Sequence, residues 1–424
     1  MRTKNTRNKT IRKKGIRTIA LTMMLTLSLM GCTTAREDAA ESTTTEITDT
    51  EAVINETTSA ETDTETEDSA TSVISSIEGS ILDTTGLFSE RDLEQSADLT
   101  GAVSIELKSG EDVTIDAEGV YVLNGDVENA TVIVDAGDEA KVQIVLDGIS
   151  ITNETAPAIY AKSADKVFVT TTGSENYMEV SGSYEADGDT NLDAVVFSKA
   201  DLVLNGTGTL ELVSDEGNGI ASKDELKITG GKYVITASAD GIEANDSICI
   251  YDGDITIVSG KDALHSENED DASLGYIYIL NGTLNITADD DAIRGTSIVQ
   301  IDGGTINIET CTEGIEGTYI QINGGETAIY AADDGINATT KSTAYDVAIE
   351  VNGGTISVSM GSGDTDAFDS NGTISINGGT IDIEANSAFD SNGTAELNGG
   401  DVTVNGQAIT QITQSQMGGG RHGR

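Results

Sequence analysis

The chain has 424 residues, of which 73 are acidic and 23 basic, giving a formal net charge of −50 at pH 7. So acidic a surface excludes nucleic acid as a partner, because phosphate binding needs a basic face. Three Cys and two His, with no CxxC pair, leave no zinc-type site.

The first 31 residues read as a secretory signal. Eight basic residues, Arg2 to Arg17, precede an apolar run from Ile19 to Met30 that is too short to span a membrane as a helix. The run ends in Leu29-Met30-Gly31-Cys32, which resembles a bacterial lipobox. The expectation is an exported lipoprotein on the outer face of the cytoplasmic membrane or cell surface, held there only through a lipid on Cys32. Removing those eight basic residues leaves 15 against 73 acids, a mature charge of −58. Residues 32–80 are mostly Ser, Thr, Glu, Asp and Ala, an acidic linker expected to be disordered and self-repelling. Residues 413–424 form a Gly-rich tail, also expected to be disordered.

Between them, residues 81–412 carry an all-β pattern. Phe88-Ser-Glu-Arg-Asp-Leu-Glu94 is the exception, a short helix with Ser89 and Asp92 as its capping pair. It is expected to lie as a lid on the lower end of the fold, where strand edges would otherwise stay unpaired. Further on, an acidic-Gly-Ile turn recurs, starting at Asn218, Asp240, Asp262, Asp291, Glu313, Asp334, Asp366 and Ser387. In most repeats a glycine follows 13 residues later, as from Asp240 to Gly253, and the next turn about 9 after that. A repeat of 21–22 residues with three short strands predicts a parallel β-helix. Its inward positions are β-branched and alternate with polar residues: Ile220, Ile242 and Leu264 on the first strand, Leu226 and Ile248 on the second, Ile255 and Leu284 on the third.

Stacking places the turn residues in a column at a spacing of about 4.8 Å. Asp240, Asp262, Asp291, Glu313, Asp334 and Asp366 would repel one another there. A second column three residues on reads Glu243, His265, Arg294, Glu316, Asn337, Asp369 and Asp390, and Asp290 and Asp333 precede two of the turns. Four oxygen clusters are expected: Asp240, Glu243 and Asp262; Asp290, Asp291, Glu313 and Glu316; Asp333, Asp334 and Asn337; Asp366, Asp369 and Asp390. Hard carboxylate oxygens with little His or Cys nearby suit calcium. Turn chemistry alone accounts for the first column but not for the second.

Two coils are longer, with seven extra residues after Ser266 and after Ala338. These inserts are expected to wall a groove whose floor is the Asp291 and Glu313 coils. Tyr276 and Tyr319, with Tyr278 beside them, fall on outward positions of the second strand and could stack on sugar faces. Their alternative is ordinary strand-forming tyrosine. Cys249 and Cys311 fall at different corners, so no disulfide between them is expected.

With these residues laid out, the chain resembles the calcium-binding, pectate-lyase-like β-helix carbohydrate-binding domains of bacterial surface proteins. The matching stretches include Phe88-Ser-Glu-Arg-Asp-Leu, Val145-Leu-Asp-Gly-Ile-Ser-Ile-Thr-Asn, Ala158-Ile-Tyr-Ala-Lys-Ser-Ala-Asp, Val196-Phe-Ser-Lys-Ala-Asp-Leu, Gly219-Ile-Ala-Ser-Lys-Asp-Glu-Leu-Lys-Ile-Thr-Gly-Gly and Gly275-Tyr-Ile-Tyr-Ile. The resemblance implies a right-handed parallel β-helix, calcium at the acidic corner, and binding to polysaccharides of the polygalacturonate or cellulose class. This chain departs from the family where a basic residue is usual, carrying Glu243 and His265, with Arg294 the firmly basic one.

A polysaccharide-binding protein is therefore the first reading. A calcium-dependent uronate lyase is the second: it needs a base for the proton α to a carboxylate, and only Lys261 and Arg294 are in place as candidates. A structural adhesin stiffened by calcium is the third.

Overall fold

The computed structural model describes residues 79–413 apart from residue 364. The expected signal, Cys32, almost all of the linker and the tail from 414 onward lie outside the described residues. Thirty-four strands follow one another with no α-helix among the described residues. Every strand ladder between them is parallel except the last, where Asp401–Val404 and Gln407–Ile409 form an antiparallel hairpin on the third-strand side of the final coil.

The period-2 pattern produces this solenoid directly. Ile220 pairs with Ile242, Ile242 with Leu264, Leu264 with Ile293, Ile293 with Ile315, Ile315 with Ile336, Ile336 with Phe368 and Phe368 with Phe389. The second- and third-strand columns stack in the same way, and all three meet in one continuous core. Each fully buried Ile or Leu in such a column contributes roughly 1.5–3 kcal/mol. The Asn/Asp-Gly-Gly turns stack as well. Gly304, Gly325, Gly354, Gly379 and Gly400 hold φ between 83° and 90°, and a Cβ there would lie within about 3 Å of backbone atoms in the coil below. Beside them Asn352, Asn377 and Asn398 each donate a side-chain N–H to the Asn one coil below, at 2.9–3.0 Å.

The N-terminal segment differs from expectation in form and in place. Ser89 and Asp92 do pair: the Ser89 N–H reaches Asp92 Oδ2 at 3.0 Å and the Asp92 N–H reaches Ser89 Oγ at 3.2 Å. They cap a tight turn and not a helix, since Leu93 and Glu94 bond three residues back, to Glu90 and Arg91. The segment does not close the lower end, where Leu99 and Val103 remain exposed. It lies as a strap along the outward column of the second strand, Phe168, Val203, Lys227, Cys249, Tyr278, Gln300 and Gln321.

The strap starts high and descends. Gln321 donates to the Gly79 carbonyl and accepts the Ile81 N–H, both at 2.9 Å, and Gln300 accepts the Leu82 N–H at 3.0 Å. Phe88 is buried against Cys249 and Tyr278, with the Tyr251 ring 5.4 Å away. The Arg91 guanidinium lies 4.6 Å over the Phe168 ring. Asp92, 1% exposed, meets Lys166 at 3.5 Å and Lys227 at 3.8 Å. Gln95 accepts the Gly206 N–H and donates to Thr229 O, both at 3.0 Å. Burying Phe88 is worth roughly 2–3 kcal/mol, and the flank offers it the Tyr251 and Tyr278 rings.

Candidate functional site

Asn218, Asp240, Asp262 and Asp334 are each positioned by a backbone amide of the coil above. Asn218 Oδ1 accepts the Asp240 N–H at 2.9 Å, Asp240 Oδ1 the Asp262 N–H at 3.1 Å, and Asp262 Oδ1 the Asp291 N–H at 2.9 Å. Asp334 Oδ1 takes the Asp366 N–H at 3.2 Å. Among the described residues no such bond joins Asp291 to Glu313. One oxygen of each bonded acid therefore satisfies a backbone amide, and the other is left for a side chain.

That side chain belongs to the second column, one coil higher. Asn218 donates to Glu243 Oε2 at 2.5 Å, and Lys223 holds the other Glu243 oxygen at 3.2 Å. His265 Nδ1 stands 3.3 Å from Asp240 Oδ2 and 3.6 Å from Asp262 Oδ2. An Arg294 amine is 3.5 Å from Asp262 Oδ2, and Asn337 donates to Glu313 Oε2 at 2.9 Å. Glu243 thus pairs downward with Asn218 and Lys223, and does not join Asp240 and Asp262 as expected; His265 takes that place. Asn337 likewise serves Glu313 below it and not Asp334.

Three sets of ligating atoms lie within 4.8 Å of one another: Asp240, Asp262 and His265; Asp262, Asp290 and Asp291; Asp291, Glu313 and Glu316. Asp291 is common to the last two. Asp333, Asp334, Asp366, Asp369 and Asp390 form no such set among the described residues.

The electrostatics follow the pairing in part: burial raises Asp262 above the usual carboxylate range even with His265 and Arg294 beside it. Burial alone would push Asp240 up, but the His265 hydrogen bond and charge hold it below the usual carboxylate range. Burial likewise opposes protonation of His265, and Asp240 and Asp262 raise it above its ordinary value nonetheless. Asp291 has no such relief. Burial, then the charges of Asp262, Glu313 and Glu316, push it up to about 8. Burial, with Glu316 adding to it, lifts Glu313 to about 7 despite Asn337. Burial and Asp369 lift Asp334 to about 7, and burial with Asp366 and Asp390 lifts Asp369 to about 6.

Glu316 is 4% exposed, and its Oε2 has no hydrogen-bond partner. Arg294 Nε is 3.3 Å from that oxygen but misaligned, and is itself unpartnered. Lys341 Nζ holds the other oxygen at 2.8 Å. Three mutually close carboxylates, one with an orphaned buried oxygen, fit a hard divalent cation that takes six to eight oxygens.

The inserts stand where the spacing put them, and they meet. Ser342 Oγ donates to Ala272 O, and Thr318 Oγ1 accepts the Lys341 and Ser342 N–H groups at 3.0 and 2.8 Å. They enclose a cleft of about 350 Å³ lined by Glu267, Asn268, Glu269, Asp270, Thr296, Lys341, Ser342 and others. Lys341 belongs both to this cleft and to Glu316. It was missed in the sequence because its contact depends on the fold of the insert. Lys261 is exposed and forms no ion pair with Asp262; its charge acts on Asp240.

The structure takes Tyr278 out of the expected tyrosine floor and leaves Tyr276 and Tyr319 partly exposed. Tyr278 is fully buried under Phe88 and bonds Asp302 at 2.8 Å, Tyr276 is half-buried in the same cluster, and the Tyr319 hydroxyl is tied to Glu350 at 2.6 Å. The strap occupies the face a sugar would need on Tyr278. Cys249 and Cys311 are free thiols and both are buried.

A family model described as carbohydrate-binding domain-containing protein matches residues 109–367 and 312–411. A carbohydrate-binding domain-containing protein of Acetivibrio thermocellus is 34% identical over 132 residues. That match covers 30% of this chain and 46% of the relative, a little under half its length. The solved structure of the polysaccharide lyase-like protein from C. thermocellum, a gadolinium derivative, is 29% identical with a TM-score of 0.46, covering 53% of this chain and 92% of that one.

Proposed function

This chain belongs to the family of carbohydrate-binding domain-containing proteins, and from that premise we propose that it binds pectic or cellulosic polysaccharide through calcium held at the upper corner of the solenoid. In this reading it is an exported lipoprotein anchored at Cys32. Asp291, Glu313 and Glu316 would hold the ion, with Asp262 and Asp290 at its edge. The single observation carrying the reading is that these carboxylates converge while burial and mutual repulsion raise Asp291 and Glu313. Calcium held by these carboxylates would supply the positive charge that lets them ionise together. Asp333, Asp334, Asp366, Asp369 and Asp390 make a second, looser acidic region for a cation.

The cleft between the inserts is the place for the sugar. Its lining offers carboxylate, amide and hydroxyl groups to sugar hydroxyls, and Lys341 links its wall to Glu316.

One observation favours the lyase as a second reading: Lys341 and Arg294 both reach Glu316, giving a basic pair beside the carboxylates. Binding is preferred because both cations are engaged by acids. Asp262 and Glu316 raise Arg294 further against the opposing effect of burial, making it a poorer base.

The test is to mix the calcium-loaded chain with polygalacturonate, follow ultraviolet absorbance and recover the polymer from the same tube. Retention with flat absorbance, lost in EDTA, is the expected result. Absorbance rising only with calcium would establish a lyase and displace the binding reading.

A further inference from the structure

Lys341 reaches the acidic corner from outside the coils. Arg294 and the acids around Glu316 stand on the coils themselves, whereas Lys341 stands on the second insert. Its main chain is pinned there. Thr318 Oγ1, fully buried, accepts the Lys341 and Ser342 N–H groups and donates to Thr296 O at 2.8 Å. Its side chain has no such anchor. The ammonium meets Glu316 Oε1 at 2.8 Å and has no second ion-pair partner among the described residues. The rest of the side chain lies along the cleft and is 28% exposed.

Glu316 is the contested group. It is buried, it belongs to the set with Asp291 and Glu313, and its Oε2 is the orphaned oxygen. Carboxylates crowded in one buried place need positive charge, and Lys341 brings it in from the side. Its charge also bears on Glu313. An ammonium and a doubly charged ion on the same carboxylate would repel each other strongly in so buried a site, so one must give way. Arg294 is the harder group to move. It stands on the strand Ile293–Ile301 and is held between Asp262 and Glu316. Lys341 has a flexible four-carbon stem and somewhere to go: Glu267, Glu269 and Asp270, on the other insert, line the same cleft. Lys341 is the one basic residue in that lining among the described residues.

We propose that Lys341 is a tethered cation: it pairs with Glu316 in calcium-free solution and turns into the cleft between the inserts in calcium. The inference rests on the calcium reading above and adds a coupling to it. Turned into the cleft, the ammonium is the basic group facing whatever lies between the inserts. A ligand that accepts a hydrogen bond from it there keeps Lys341 off Glu316 and so strengthens calcium binding, and calcium strengthens the binding of that ligand by the same factor.

The test uses the full chain with calcium alone as the probe. Reductive methylation of amines, read by mass spectrometry, should label Lys341 several-fold faster in calcium than in EDTA. Lys108, 71% exposed at the lower end of the solenoid, is the reference that should not change. Lys341→Met keeps the stem and removes the ammonium, and should bind calcium about tenfold tighter by isothermal titration. Lys341→Arg, which keeps a cation beside Glu316, should bind no tighter than the wild type. Far-ultraviolet circular dichroism checks that both variants fold, and the labelling is read on the wild type and needs neither. A fixed charge at Lys341 would give the same Lys341→Met result with no change in labelling, so equal labelling in calcium and EDTA overturns the proposal. Calcium binding that Lys341→Met leaves unchanged also overturns it. If calcium-dependent retention on polygalacturonate persists in either case, the corner reading survives. Calcium binding by neither the wild type nor Lys341→Met sinks both.

Discussion

The lower and upper halves of the acidic corner share one backbone and differ in what faces each acid. Below, Asn218 meets Glu243, Asp240 meets His265 and Asp262 meets Arg294, so each rung contains its own complement. Above, Asp291 meets Glu316, and Asp334 feels the charge of Asp369. The same turn position thus holds a satisfied structural group at Asn218 and Asp240 and a frustrated one at Asp291, with Asp262, which burial raises, between them. A column of acids therefore does not by itself mark a metal site; the residue opposite each acid, one coil up, decides. By that criterion the cation proposed above would sit with Asp291.

The largest effect should come from removing the frustration. Asp291→Asn is expected to raise the unfolding midpoint in EDTA and to abolish the increment that calcium gives the wild type, about 3 kcal/mol at calcium roughly a hundredfold above its dissociation constant. Thermal unfolding with and without calcium reads both. A variant that responds to calcium like the wild type would place the ion elsewhere.

The next effect is in pH. Asp291 titrates at about 8, and Glu313 and Asp334 at about 7, in the folded chain, whereas unfolded carboxyls titrate near 4. Between those limits the folded state holds protons that the unfolded state has released, so stability falls as pH rises. In EDTA the midpoint at pH 8 should lie about 5 °C or more below that at pH 5. Calcium should flatten the slope by replacing the protons, and Asp291→Asn should remove much of it. A midpoint that climbs with pH in EDTA would contradict the upper-corner electrostatics.

The smallest effect converts one half into the other. His265→Glu places an acid opposite Asp240 and should cost about 1 kcal/mol or somewhat more in EDTA. Part of that loss should return with calcium if an acid opposite an acid is what recruits the ion. Urea denaturation at fixed pH measures it, and a loss that calcium leaves untouched would reduce the comparison to simple repulsion.

The sequence disclosed the core almost completely, because inward Ile and Leu recur with period 2 inside a fixed coil length and stacking follows from that period. It also disclosed Asp291, Glu313 and Glu316, which are aligned by the same count. The diagonal pairing was hidden. That Glu243 belongs to Asn218 depends on which way a side chain leans between coils, and linear spacing does not carry this. Lys341 was hidden for a related reason, lying in an insert whose path is set by Thr318 and Ala272. Tyr278 dropped out of the tyrosine floor because its cover comes from Phe88, 190 residues earlier in the chain. No local pattern announces that kind of partner. The Ser89–Asp92 pair was legible as a pair, but the turn it caps is held by Lys166, Lys227 and Gln95 contacts that only the assembled flank provides.

The strap also sets an order of events. It precedes every coil in the chain, yet each of its partners comes later. Asp92 must wait for Lys166, 74 residues on, and Ile81 for Gln321, 240 residues on. A segment made early therefore cannot dock fully until the coils as far as Gln321 have assembled beside it. Until Tyr278 and Cys249 are in place, Phe88 has no apolar surface to cover, and its arrival records that the flank as far as those coils is complete.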